Sequence, residues 1–174
     1  MIRVFRAVKA ITSKRKLQKE HNAKLLIGWK EWCSLPNLHI PAIKAKIDTG
    51  AKTSSLHAYN IEPFQHEGKH WVRFSLHPIQ KNNKISIRRS APIFDQRYVT
   101  SSSGHKELRY VIKTIIKLGK RLWEIELTLA NREKMMFRML LGRDALKGKA
   151  IIDPIGAHKQ KKLKNKMQKL LYTR

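Results

Sequence analysis

Alternation of apolar and polar positions dominates the chain from residue 25 onward. Residues 69–76, Lys-His-Trp-Val-Arg-Phe-Ser-Leu, carry the period-two pattern of a half-buried strand, and Ile85-Ser86-Ile87-Arg88 repeats it after a Lys81-Asn82-Asn83-Lys84 turn. Residues 108–118 and 121–129 predict two longer strands joined by Gly119-Lys120 as a tight hairpin. Upstream, residues 25–32 form a β-like apolar opening, and Leu35-Pro36-Asn37-Leu38 turns the chain. A second apolar run follows at Ala42-Ile43-Lys44-Ala45-Lys46-Ile47, and residues 53–61 lead away from it. Near the far end, Arg143-Asp144-Ala145-Leu146 reads as a short helix and Ala150-Ile151-Ile152 as a terminal strand. Many short strands with turn signals at regular spacing, and one short helix, predict an all-β fold: a small closed or partly closed barrel.

The ends differ in texture. Residues 1–24 carry eight Lys/Arg against Glu20 alone and read as a basic arm. Residues 158–174 hold seven Lys/Arg and no acid, with Leu163, Met167, Leu170 and Leu171 at helical spacing, and read as a basic amphipathic helix or tail. The domain itself is assigned to residues 25–157. Thirty-eight basic residues against twelve acidic ones give a net charge of +26, and the excess extends into the domain. Such a field steers polyanions, so acidic peptide and nucleic acid are the expected partner classes, the basic ends offering contacts to nucleic acid or the ribosome. No apolar run reaches the roughly 20 residues of a membrane span, and the N-terminal apolar stretch, residues 7–11, is too short for a secretory signal. Cys33 is the one cysteine, which suits a reducing compartment. A cytoplasmic protein without membrane association is expected.

The chemistry concentrates at Ile47-Asp48-Thr49-Gly50-Ala51, where a β-like run delivers a carboxylate into a sharp turn. A carboxylate activates water for attack on a peptide only beside a second one, because like charges about 3 Å apart cannot both ionise and one keeps its proton. Three residues alone describe an Asx-turn equally well. The downstream Met139-Leu140-Leu141-Gly142-Arg143, an apolar stretch closed by glycine and followed by the short helix, supplies the element that an aspartic peptidase places beside its Asp loop.

Taken with Ile27-Gly28-Trp29-Lys30-Glu31-Trp32, Ser34-Leu35-Pro36, Ile43 through Ser54, Trp71-Val72-Arg73-Phe74, Leu108-Arg109-Tyr110-Val111-Ile112 and Phe137 through Arg143, these motifs give a clear likeness. The chain resembles the retropepsin-like aspartic peptidases that carry an ATP-dependent zinc protease label and occur in bacteria beside ATP-grasp glutamate ligases. The resemblance runs from about residue 26 to 154. It implies a retropepsin-like barrel and, with one Asp-Thr-Gly per chain, a homodimer in which two copies of Asp48 meet on a two-fold axis. It also implies Asp48 as the catalytic acid, Thr49 and Gly50 fixing the loop, Ala51 lining a subsite, and Leu140, Leu141 and Gly142 packed beneath. Glutamyl-rich peptides become the expected substrate, with Lys52, Arg109 and Arg143 as carboxylate-binding candidates. Residues 99–105, including Ser102, Ser103 and Gly104, fall where a flap tip would close over substrate, or form a plain surface loop. Against viral retropepsins, residues 62–95 are extra chain.

Two other readings stand beside this one. A dormant retropepsin-shaped module would bind RNA or an acidic protein without hydrolysis. A zinc metallopeptidase would use His66-Glu67-Gly68-Lys69-His70, which fits H-E-x-x-H. That motif works on a helix, whereas Gly68 within it, Pro63 before it and alternation from Lys69 are hairpin features, so no metal ligand is assigned. His39, His57, His77 and His105 lack ligand spacing and are expected to pack or face solvent. Neither a Gly-rich phosphate loop nor a Gly-x-Ser-x-Gly elbow occurs, so no cofactor, ATP included, is assigned.

Overall fold

A computed structural model describes residues 24–100 and 104–173. Twelve strands are present: β1 (Leu25–Gly28), β2 (Lys30–Leu35), β3 (Ile40–Ile47), β4 (Ser54–His57), β5 (Tyr59–His66), β6 (Lys69–Leu76), β7 (Ile87–Pro92), β8 (Asp95–Thr100), β9 (Lys106–Leu118), β10 (Arg121–Ala130), β11 (Met139–Leu141) and β12 (Ala150–Asp153). A 3-10 turn spans Pro36–Leu38, and two short helices follow late in the chain, α1 (Arg143–Leu146) and α2 (Asn165–Leu170). The fold is all-β, as the alternation predicts, and retropepsin-like, as the resemblance implies.

The main sheet runs β10-β4-β11-β3-β2-β9-β8, and β10 pairs back onto β9. Six strands therefore close into a ring, and β8 hangs from the outer half of β9. The inward positions of this ring make the core: Leu35, Ile40, Ile43, Leu56, Ile112, Ile116, Leu118, Leu127 and Leu141 have no solvent exposure. Each such side chain contributes about 1.5–3 kcal/mol relative to an exposed one, which is what fixes strand register. The expected hairpin at Gly119-Lys120 is present, Arg121 facing Leu118, with Gly119 at φ +60° where a side chain would be strained.

The extra chain forms a sheet of its own, β5-β6-β7, whose buried Val72, Phe74, Leu76 and Ala91 join the barrel core. Its first hairpin turns at Glu67-Gly68, both with positive φ. The apolar opening differs from the single run expected. Gly28 lies so close to Gly156 that a Cβ would sit 2.2 Å from its carbonyl oxygen, and Trp29 N–H donates to that oxygen. The chain bends there, sending β1 to pair in parallel with β12 and β2 into the barrel.

Residues 158–173 are bound to the domain. Glu31, fully buried, accepts hydrogen bonds from the N–H groups of Gly28 (2.7 Å), Lys159 (2.8 Å) and Gln160 (3.4 Å). His158 stacks on Trp32, and the Tyr172 hydroxyl donates to the Ala42 carbonyl. The tail forms a helix, but its buried face is not the one the spacing suggests: Gln168 is buried, while Met167, Leu170 and Leu171 remain 40–52% exposed.

Candidate active site

The site is built where three strands meet. β11 lies between β3, parallel to it, and β4, antiparallel to it, so Leu141 is opposite Ile47 and Leu140 opposite both Lys46 and Ser55. Asp48 follows directly on β3, and its N–H donates to the Leu141 carbonyl at 2.9 Å. The side chain then folds back on its own turn: Oδ1 accepts from the N–H groups of Gly50 at 3.0 Å and Ala51 at 3.3 Å. This leaves a half-buried carboxylate whose direction is set by main-chain donors. Among the described residues, no other carboxyl group shares a hydrogen bond with it.

Gly142 explains how the two motifs fit together. A Cβ on Gly142 would lie 2.6 Å from the Lys52 carbonyl oxygen and 2.7 Å from the Thr53 carbonyl carbon, both backbone, so glycine is what permits the contact. Its N–H donates to the Ser54 hydroxyl at 3.1 Å, and the next two N–H groups, of Arg143 and Asp144, donate to the carbonyls of Ala51 and Lys52. Asp144 lies in the first turn of α1, where the helix dipole favours an acid. Leu140, Leu141 and Gly142 thus lie against the Asp loop.

Two of the expected carboxylate binders, Arg143 and Arg109, have partners within the chain. The Arg143 guanidinium is expected to meet substrate, but Nη1 donates to the carbonyls of Thr49 and Gly50, each at 2.9 Å, and so clamps the loop. That clamp, formed on the Thr49 main chain, does the locking expected of the Thr49 hydroxyl, whose side chain is exposed. Arg109 is engaged by Glu107, Nε to Oε2 at 2.7 Å. Lys52 is exposed beside the loop. Gly104 lies exposed at the β8–β9 tip with φ +82°, and Ser102 and Ser103 lie outside the described residues.

Arg132 is a neighbour that no motif announces. Half-buried in the turn after β10, it donates through Nε to the Phe137 carbonyl and through its N–H to His57 Nδ1. Burial and the nearby Arg109 charge lower its affinity for a proton, and the Asp48 carboxylate opposes them. Arg132, Arg109 and Asp48 thus share one electrostatic neighbourhood, invisible in a sequence where they are scattered. Behind Arg132, His57 and His77 stack with rings 5.6 Å apart, and Tyr59 stacks on His77 in turn. These histidines pack, as their spacing suggests.

The zinc motif does not fit a metal. His66 is opposite Lys69 and Gln65 opposite His70 across the β5–β6 hairpin, so the imidazoles of His66 and His70 leave the sheet on opposite faces. Among the described residues, no group of three or more His, Cys, Asp or Glu side chains is placed to hold an ion. No helix among them is long and apolar enough to cross a membrane.

Comparison with known proteins agrees with this geometry. Two curated relatives, each called a probable alpha-L-glutamate ligase, come from Parasynechococcus marenigrum, 48% identical over 86% of this chain and 32% of the relative, and Desulfotalea psychrophila, 54% identical over 76% and 28%. The chain spans about a third of the length of the relatives it matches. A crystal structure of a protein of unknown function from Legionella pneumophila superposes with a TM-score of 0.66 at 28% identity, covering 80% of this chain and all of that one. The profile of the RimB-like family, described as retropepsin-like aspartic endopeptidase RimB, matches residues 26–163, nine residues beyond the stretch that the motifs delimit. With an Asp loop backed by a glycine-ended strand inside a closed barrel, and a family match over most of its length, the chain belongs to the RimB-like retropepsin-like aspartic endopeptidases.

Proposed function

We propose that the protein is an aspartic endopeptidase acting on acidic, glutamyl-rich peptides, with Asp48 as its catalytic residue. The observation that carries this is the Asp48 loop itself. Its carboxylate is fixed by two main-chain donors in a loop backed by β11 and clamped by Arg143, so a half-buried acid is held in one direction. One chain offers one such carboxylate. The reading therefore requires a second copy, with the two Asp48 side chains sharing a proton between them. The ionised member takes a proton from water, whose oxygen attacks the peptide carbonyl carbon. The protonated member first donates to the carbonyl oxygen, and a proton then passes to the amide nitrogen as the C–N bond breaks. Lys52, exposed beside the loop, and the general excess of positive charge favour acidic chains near the scissile bond.

A second reading is favoured by the names of the relatives, which are ligases and not peptidases. On that reading the domain binds an acidic protein or RNA and its site is dormant. Digestion of a glutamyl-rich peptide by the wild type and by Asp48→Asn separates the two. Asparagine keeps an oxygen for the Gly50 and Ala51 N–H groups, so the fold is retained while hydrolysis drops at least about a thousandfold. Hydrolysis at the wild-type rate by Asp48→Asn would end the aspartic mechanism. Absence of hydrolysis in both, with peptide still bound, would favour the dormant module.

A further inference from the structure

A cavity of about 750 Å³ opens beside the barrel, and neither Asp48 nor the residues of its loop line it. Its walls come from four separate parts of the chain: the outer faces of β2 and β3, the turn before β7, the turn before β11, and α2. Five lysines line it, Lys30, Lys44, Lys81, Lys84 and Lys169, and no acidic residue does. Among the described residues, none of these five forms an ion pair. The acid Glu133 accepts from the lining residue Asn83 at 2.7 Å. At the back lies Gln168, 4% exposed, whose Nε2 is buried without a hydrogen-bond partner among the described residues.

Gathering five ammonium groups around one hollow costs the fold Coulombic repulsion, which the ring contacts of Lys30 with Trp29 and Lys44 with Trp32 offset only in part. Lys44 registers that cost, its amine held below the usual lysine range by burial and then by the Lys30 charge. An unpartnered amide donor adds a desolvation penalty. Both penalties are relieved by an anion with several acceptor oxygens, and such an unrelieved cluster marks a site for one. The ligand is further defined by Trp29. The Lys30 ammonium sits 4.2 Å above its ring and the Phe137 ring lies 6.0 Å away at a steep angle, so one face of the indole already carries a cation. There is no arginine in the lining to grip a phosphate bidentately. Separate lysine point charges with no arginine fork among them suit carboxylates spaced along a peptide better than phosphates.

The geometry points to this cavity as a second binding site, for an acidic peptide segment carrying several neighbouring carboxylates. It lies one hydrogen bond from the Asp loop: the Trp29 carbonyl accepts from the N–H of Ile47, the residue before Asp48. An acidic chain held here raises the local concentration of its remainder near Asp48. That consequence rests on the peptidase reading above; the binding itself does not.

The test is fluorescence anisotropy with a labelled ten-residue glutamate peptide, on the full chain carrying Asp48→Asn so that nothing is cleaved, at about 0.1 M salt. Lys81, Lys84 and Lys169 are exposed, so replacing all three with Gln leaves the fold intact. The expected result is affinity weakened about tenfold or more, with Lys44→Gln alone also weakening it. A control that removes the same charge elsewhere, Lys117, Lys120 and Lys147 to Gln, is expected to change affinity less than about threefold. Equal losses in the two triple variants would overturn the site, since net charge alone would then explain binding. A ten-nucleotide single-stranded RNA that binds more tightly than the peptide, and loses affinity with the cavity triple, would overturn the peptide assignment. Lysine-dependent binding combined with no hydrolysis by the wild type would sustain this site and remove the peptidase reading instead.

Discussion

His57 stands fully buried at the end of β4, accepting from the Arg132 N–H and stacked on His77. Burial first, then the charges of Arg138, His77 and Arg132, push its pKa down to about 4 from an ordinary value of 6.5. Between those two pH values the unfolded chain holds more protons than the folded one, so stability is full above about 6.5 and declines as pH falls toward 4. The loss reaches up to about 3 kcal/mol at the acid end. Urea titrations at pH 7 and pH 5 are expected to show this decline, and His57→Gln, which keeps an acceptor for Arg132 but does not titrate, is expected to reduce it. An identical decline in the variant would assign the effect to other groups. At this scale the sequence discloses a residue when its neighbours in the chain are also its neighbours in space. Asp48 is legible because Thr49, Gly50 and Ala51 build its turn. Arg132 and the His57–His77 stack are not, because residues 20 to 75 positions apart define them.

At the level of the strand, what is legible is whatever buries one face. β9 and β10 alternate and were readable to within two residues of their ends. β8 was not, because none of its six residues is buried; the ladder to β9 holds it, and ladders leave no apolar signature. The break between β1 and β2 is likewise silent, since it depends on Gly156 arriving from 128 residues downstream. Glu31 is the fastener at that break, and three N–H groups converge on its carboxylate. Glu31→Leu would leave those donors buried and unmet, and a loss of about 2–4 kcal/mol is expected in chemical denaturation. A loss below about 0.5 kcal/mol would mean that water replaces the carboxylate without penalty and that residues 158–160 are held by other contacts.

For the molecule as a whole, the short-strand pattern was sufficient for an all-β barrel, whereas the lysine cavity required the full fold, since its five amines come from positions 30 to 169. The proposed pairing of two Asp48 loops also belongs to this scale. If both copies must contribute, an equal mixture of wild type and Asp48→Asn, equilibrated at fixed total concentration, retains about one quarter of the wild-type activity. A chain that works alone would retain about one half, and that outcome would rule out the shared site.

The clamp between Arg143 and the Gly50 carbonyl joins residues 93 positions apart, and β11 reaches its slot only after most of the chain exists. During translation, at about 5–20 residues per second, the aspartate emerges many seconds before the strand that seats it. A nascent chain stalled or released before Met139 has the reactive acid but not its seat. On the reading proposed here, half-made copies therefore lack hydrolytic activity.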